Sequence, residues 1–252
     1  MPSARKDIVQ IVGVHKVPSH LSKEEFEAKY QTLVEEMVAL PSMKNNFLKL
    51  EIFLQNDRFD QYLESYRCSP RESLVVVRGE IESAESYIAV LSDPEVQKKM
   101  EGAKNFSLQA QTSAFFTDVD QSFERESRVA PKDRVHIIGI HRVPDHISKD
   151  KFEKGFIKFF EDYSDIPTIR KNFVKIEKWM PNNAVDDHIH RVGYPPPETM
   201  FISHSELETW ENVVDFQNED SFKAVLAAKS DFDLNTNASV FTADLITKFE
   251  RS

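Results

Sequence analysis

The sequence predicts an α+β protein made of two copies of one unit. The first observation is an internal repeat. A shift of 126 positions places residues 13–18, Gly-Val-His-Lys-Val-Pro, on residues 139–144, Gly-Ile-His-Arg-Val-Pro. The second is that this shift holds without a gap to the Phe-Glu-Arg triplet near the end of each copy. A repeat of this length, present twice, predicts two domains related by a pseudo-twofold axis, at 1–126 and 127–252.

Each copy begins with a strand and a helix. An apolar run rich in β-branched residues opens the copies at 8–14 and 135–140, which is typical of a strand. Ser22 and Glu25 then form a capping box ahead of apolar residues at helical spacing, so a helix follows. We expect this helix to end at a proline, Pro41 in the first copy.

The remaining elements complete a recognised order. Further strands are predicted at about 44–54, 74–77 and 109–116 in the first copy and at about 170–180, 200–203 and 235–241 in the second, with a helical region after each third strand. The order β-α-β-β-α-β is that of a ferredoxin-like unit, an antiparallel sheet with both helices on one face. Continuous apolar runs indicate strands covered on both faces. We therefore expect the two sheets to cover each other within one chain as a barrel-like sandwich with the helices outside.

Composition excludes several classes of function. The net charge is −10 and acidic and basic residues are interspersed, so no basic surface for nucleic acid is expected. No apolar run approaches the roughly 20 residues that a bilayer requires, and no apolar leader opens the chain. The single cysteine, Cys68, cannot form an internal disulfide. A cytoplasmic protein without a membrane partner is predicted, with association into a homodimer left open.

One segment in each copy resembles a known family. Residues 14–26, Val-His-Lys-Val-Pro-Ser-His-Leu-Ser-Lys-Glu-Glu-Phe, are similar to the opening of EthD-like proteins of the dimeric α/β-barrel superfamily. The His-Ala-Pro element that EthD-like proteins carry near the end of this helix is replaced here by residues 34–37, Val-Glu-Glu-Met. The resemblance implies an intrachain dimeric α/β barrel. It also implies a superfamily that includes cofactor-free monooxygenases, polyketide cyclases, haem enzymes and simple ligand-binding proteins.

The second copy contains histidines that the first copy lacks. His136 replaces Gln10 on the first strand, and His204 replaces Arg78 on the third. These strands are neighbours in a ferredoxin-like sheet, so the two side chains can meet if they share a face. A neutral imidazole there suits a general base, because its pKa lies near working pH. The alternative is a buried, hydrogen-bonded pair that fills the barrel. The position of His136 also resembles that of a histidine in polyketide cyclases of the superfamily.

The long connection of the second copy supplies further candidates. His188, His190 and Tyr194 are expected on a loop that covers the pocket of that copy. Histidines two apart can point the same way, but no third ligand is fixed by spacing, so no metal site is predicted. His15 and His141, which end the first strands, are a second candidate pair, either as acid/base groups or as residues that fix the adjacent proline turn.

These residues lead to one functional hypothesis with two alternatives. We expect a cofactor-independent enzyme that acts on a small aromatic or polyketide-like compound, as a cyclase, dehydratase or monooxygenase, with the pocket in the second copy. Phe156, Phe160 and Trp179 would line that pocket, or else belong to the core. The first alternative is a non-catalytic protein that binds a hydrophobic molecule or serves as a stress-related partner. The second is a haem enzyme with a histidine as axial ligand.

Overall fold

The computed structural model describes residues 8–63, 72–182, 189–190, 193–227, 234 and 237–251. Its centre is a closed antiparallel barrel of eight strands. The strands are β1 (Val9–Lys16), β2 (Phe47–Asn56), β3 (Leu74–Ile81), β4 (Thr112–Glu124), β5 (Val135–Arg142), β6 (Phe173–Asn182), β7 (Met200–Leu207) and β8 (Ala238–Glu250). Each of the last four begins and ends 126 positions after its counterpart. The mixed α and β composition and the barrel agree with prediction.

The helices are α1 (Lys23–Val38), α2 (Pro41–Asn46), α3 (Asp60–Leu63), α4 (Ala84–Ser92), α5 (Pro94–Ala103), α6 (Lys149–Ser164), α7 (Pro167–Asn172), α8 (Trp210–Gln217) and α9 (Asp220–Ala227). The predicted capping box starts α1, since the Glu25 amide donates to Ser22 Oγ and the Ser22 amide donates to the Glu25 carboxylate. Pro41 opens α2, where its missing N–H costs nothing. Across the described ranges, no helix combines the length and apolar character needed to cross a bilayer.

The order of strands around the barrel is β1-β3-β2-β8-β5-β7-β6-β4, and β4 pairs with β1 to close it. Two of these pairings, β2 with β8 and β4 with β6, join the halves. We expected β4 to end near 116, but it continues to Glu124 because its polar end pairs with β6. Pairing with a distant strand is invisible to local pattern. The halves are therefore joined edge to edge by hydrogen bonds, which leaves no open sheet edge in the barrel.

Alternation along the strands separates an interior core from two outer cores. In β1, Val12 and Val14 face the barrel interior, whereas Ile11 belongs to the outer core of the first half. The interior core consists of strand residues and includes Phe53 and Trp179. The outer cores lie between sheet and helices, one in each half. The described residues therefore enclose three separate apolar layers, one inside the barrel and one outside it in each half.

Candidate functional site

A cavity lies between sheet and helices in each half. The cavity of the first half has a volume of about 120 Å³, and that of the second half has a volume of about 80 Å³. The larger one is bounded by side chains of β1, β2, β3, α1, α4 and α5, nearly all of them apolar. An engineered apolar cavity of about 150 Å³ binds benzene. The first-half cavity is therefore of the size that admits one ring.

His15 and Tyr30 provide a directed hydrogen-bond chain at the wall of this cavity. The Tyr30 hydroxyl lies 2.9 Å from His15 Nε2, and His15 Nδ1 lies 2.7 Å from Thr112 Oγ1. The Thr112 hydroxyl donates to the Leu108 carbonyl at 2.5 Å, so its oxygen is left to accept from His15 Nδ1–H. The lone pair on His15 Nε2 then accepts from Tyr30. The contacts thus fix His15 as a neutral imidazole.

Burial keeps both members of this pair uncharged. It lowers the pKa of His15 to about 3 and raises the pKa of Tyr30 well above its ordinary value. A general base is most effective when its pKa lies near the working pH. His15 is a weak base by this measure, so the pair is better suited to anchoring a ligand. The Tyr30 oxygen, which donates to His15, still has lone pairs that can accept a hydrogen bond from a bound molecule.

Glycine two positions earlier makes room for each of the symmetric histidines. A Cβ atom on Gly13 would lie 2.8 Å from His15 Nε2, and one on Gly139 would lie 2.6 Å from His141 Nε2. Each imidazole folds back over its own strand into the outer layer, so its hydrogen bonds are made there and not to the proline turn. This packing accounts for the repeated Gly-x-His pattern.

The second-half cavity has a different polar wall. His141 Nδ1 donates to the Leu234 carbonyl at 3.3 Å, and His141 Nε2 lies 3.2 Å from the Ser203 hydroxyl. Burial lowers the pKa of His141 to about 4. The counterpart of Tyr30 is Phe156, which contacts the His141 ring edge to face and has no hydroxyl. Phe160 lines the cavity, so these two predicted binding residues mainly fill space beside His141.

Tyr194 lies against the first half and not over the second-half pocket that we expected it to cover. Ile189 and Tyr194 both pack in the first-half core, and Tyr194 lines the larger cavity. His190 Nδ1 donates to the Tyr194 carbonyl at 3.1 Å. The reason is the pairing of β6 with β4, which joins the two halves and which we call the β4–β6 seam. Because of this pairing, the connection that follows β6 emerges beside the first half. In the same way, Phe59 of the first half packs in the second-half core. His188 lies outside the described residues.

His136 and His204 meet inside the barrel. His136 Nδ1 and His204 Nε2 are 3.0 Å apart, and both side chains are buried. The ring planes differ by 14° and the ring centroids are 5.3 Å apart. With the two nitrogens 3.0 Å apart, a centroid separation of 5.3 Å is reached only when both nitrogens lie on the line between the ring centres. The contact therefore has the in-line geometry of a hydrogen bond.

The partners of this pair determine where its protons are. His136 Nε2 lies 2.8 Å from the Pro131 carbonyl and must donate to it, so neutral His136 presents a lone pair at Nδ1. His204 Nε2 then donates to His136, while His204 Nδ1 donates to Glu177 Oε2 at 3.2 Å. Burial and the charge of His204 lower the pKa of His136 to about 4. All four ring nitrogens of the pair have a hydrogen-bond partner.

Glu177 links the histidines to the rest of a buried ionic network. The same carboxylate accepts from Arg78 at 3.1 Å and from Trp179 Nε1 at 3.2 Å, and it is paired with Lys175. Burial alone would raise the pKa of Glu177, but the His204 hydrogen bond and the Arg78 and Lys175 charges hold it well below its usual range. Trp179 is thus part of the barrel interior.

Three potential metal ligands lie close together, because Glu206 joins the two histidines within 4.8 Å. Tetrahedral zinc, with metal–imidazole bonds of about 2.0–2.1 Å, holds two ligand nitrogens about 3.3 Å apart with the ion off the line between them, whereas these two nitrogens face each other directly. The observed 3.0 Å accommodates a proton. In addition, neither His136 nor His204 is among the described residues that line the two outer cavities.

A haem does not fit the outer cavities as they stand. The larger has room for one ring, whereas a porphyrin contains four pyrrole rings. The best-placed axial ligand, His15, also has both nitrogens engaged by Tyr30 and Thr112. We therefore assign no haem chemistry to these residues.

Comparison with known proteins identifies the fold. No protein-family model matches the sequence, and no curated protein matches it. Among solved structures, a proposed monooxygenase from Fusobacterium nucleatum subsp. nucleatum has a TM-score of 0.58 at 6% identity, covering 99% of this chain and all of the other. An anthrone oxidase-like protein has a TM-score of 0.59 at 9% identity, covering 98% of both chains. The fold is therefore that of the dimeric α/β-barrel proteins.

Tyr30 is the residue that sequence reasoning missed. The second copy differs from the first most visibly in the histidines that it gains, whereas Tyr30 carries a hydroxyl at a position where the second copy has Phe156. The signal was available, because Tyr30 lies on the predicted inner face of α1, where it can meet a histidine at the end of β1.

Proposed function

We propose that this protein binds a small, single-ring hydrophobic molecule in the first-half cavity and that Tyr30 accepts a hydrogen bond from the ring's polar substituent. The observation that carries the proposal is an apolar space of about 120 Å³ with the His15–Tyr30 pair in its wall. The second half has a smaller space and a phenylalanine in place of the tyrosine. The ligand site is therefore assigned to one half.

An enzyme acting on such a molecule is the second candidate, and the monooxygenase and anthrone oxidase-like neighbours favour it. The proton of a ligand hydroxyl would pass to the Tyr30 oxygen as Tyr30 gives its own proton to His15 Nε2, leaving a ligand anion and an imidazolium. The lowered pKa of His15 opposes this transfer by roughly 1.4 kcal/mol per unit. The enzyme hypothesis predicts that the protein consumes oxygen in the presence of phenol. It also predicts that His15→Gln abolishes this oxygen uptake and retains the affinity for phenol.

We further propose that the two halves are tandem ferredoxin-like repeats and that the chain is an intrachain, EthD-like relative of the dimeric barrels. The matching strand limits and the reciprocal seams support this. We propose that His136 and His204 have a structural role, because aromatic rings fill the barrel around them. Phe53 contacts both histidine rings, and Trp179 contacts His204 and Phe53.

The binding proposal is tested by calorimetry with phenol and toluene. Tyr30→Phe should weaken phenol binding about fivefold, the worth of one hydrogen bond of about 1 kcal/mol, and leave toluene binding unchanged. Val90→Phe, which introduces the residue of the second half, Phe216, should reduce the affinity for both molecules. Equal effects of Tyr30→Phe on the two ligands, or unaltered binding in Val90→Phe, would place the site elsewhere.

A further inference from the structure

The first-half cavity is continuous in its lining with a second, outer space. Leu91, Val96 and Met100 line both the inner cavity and an outer pocket of about 310 Å³. Tyr194 lines the inner one and its neighbour Gly193 the outer one. The Tyr194 hydroxyl lies 4.0 Å from Met100 Sδ. Met100 and Tyr194 are therefore in contact at the boundary between the two spaces, which we call the inner cavity and the vestibule, and we call this boundary the neck.

The two spaces differ in chemistry. The inner cavity is apolar apart from the His15–Tyr30 wall, whereas the vestibule adds Gln97, Glu101, Lys104 and Gln109 to its apolar neck. Lys104 Nζ and Glu101 are 2.9 Å apart and form an ion pair, so the vestibule presents balanced charge. The amide of Gln97 lies beside this ion pair at the edge of the vestibule. Amides recognise neutral groups that both donate and accept hydrogen bonds.

The volumes of the two spaces also favour a ligand that occupies both. The inner cavity holds one ring, but pockets for drug-sized ligands have volumes of about 300–1,000 Å³, which the inner cavity reaches only together with the vestibule. A ligand that fills both must separate Met100 from Tyr194, whose sulfur and hydroxyl atoms are 4.0 Å apart, so only a narrow chain suits this boundary.

We propose that the natural ligand is amphipathic, with a hydroxyl-bearing ring in the inner cavity, an unbranched chain through the neck and a neutral amide-like or hydroxyl head group in the vestibule. This rests on the proposed function, because it assigns the ring to the same cavity. Gln97 is the residue that selects the head group. Its Nε2 donates to the Leu91 carbonyl at 3.1 Å, which fixes the amide at the border between the neck and the vestibule.

The test uses four probes and calorimetry on the full chain: phenol, 4-propylphenol, 3-(4-hydroxyphenyl)propanamide and 3-(4-hydroxyphenyl)propanoate. The propanamide should bind about fivefold more tightly than 4-propylphenol, as expected for one added hydrogen bond. It should also bind more tightly than the charged propanoate. Gln97→Met, which keeps the length of the side chain, should abolish the preference for the amide and leave phenol affinity unchanged.

The outcomes separate this inference from the proposed function. Absence of phenol binding would overturn both. Phenol binding without a preference for the propanamide over 4-propylphenol would overturn the amphipathic ligand alone. Tighter binding of the propanoate than of the propanamide would overturn the neutral head group. A preference for the amide that survives in Gln97→Met would remove Gln97 as its origin.

Discussion

The outer layers of the two halves share a backbone and differ in the side chains that fill them. Six positions in the first half carry residues smaller or more polar than those of the second: Tyr30, Leu33, Val34, Met37, Val90 and Val96 correspond to Phe156, Phe159, Phe160, Tyr163, Phe216 and Phe222. The cavity volume falls from about 120 Å³ to about 80 Å³ between the halves. Room for a ligand is therefore obtained by omitting rings while the fold is kept. His136 and His204, which the first half lacks, face the barrel interior instead.

The largest effect is expected from a substitution that enlarges the second-half cavity and so removes the difference between the halves. Phe216→Val, which introduces the residue found at Val90, should lower the free energy of unfolding by about 2–3 kcal/mol, since a buried ring is lost and a cavity remains. It should also let toluene stabilise the protein through the new space. Urea unfolding with and without toluene measures both effects. Val214→Ala, at a partly exposed position of the same helix, is the matched control and should change stability by less than about 0.5 kcal/mol.

A loss of stability without any response to toluene would contradict this comparison. It would show that the second half collapses around the deleted ring, so that ring deletion alone does not create a ligand site.

A smaller effect is expected on the pH dependence of stability. His15, His136 and His141 stay neutral in the fold, with pKa values lowered to about 3, 4 and 4. The unfolded chain takes up protons below about pH 6.5, whereas the folded histidines do not, so stability is complete above that pH and falls toward pH 4. Each histidine contributes roughly 1 kcal/mol per pH unit across this range.

His136→Gln introduces the residue that the first half has at this position, Gln10. It should therefore reduce the loss of unfolding free energy between pH 6 and pH 5 by about 1 kcal/mol per pH unit. Urea midpoints at pH 7, 6 and 5 measure it. His20→Gln, at an exposed position, is the control and should leave the slope unchanged. Parallel curves for wild type and His136→Gln would contradict the neutral state of His136.

Sequence periodicity predicted the order of helices and strands and the capping box at Ser22, because these depend on local pattern and on the repeat. The barrel was implied by the family resemblance. The sequence also indicated that His136 and His204 would be neighbours, which follows from strand order. It did not predict that β4 would continue to Glu124 or that Tyr194 would reach the first half. Both follow from the β4–β6 seam, and a pairing between distant strands leaves no mark on the sequence of either strand.

The position of the cavity was also beyond the sequence. It depends on summed side-chain volumes at positions that meet only after α1, α4, α5 and the sheet have packed together. The aromatic residues of α6 suggested a ligand site in the second half, but rings that pack this closely fill the layer.

The most direct test of the difference between the halves is the anomalous signal of iodine in a crystal of the full chain soaked with iodobenzene. The account predicts an iodine peak in the first-half cavity, beside Tyr30 and Val90, and none in the second half. A peak among Phe160, Phe216 and Phe222, or within the barrel beside His136, would contradict it.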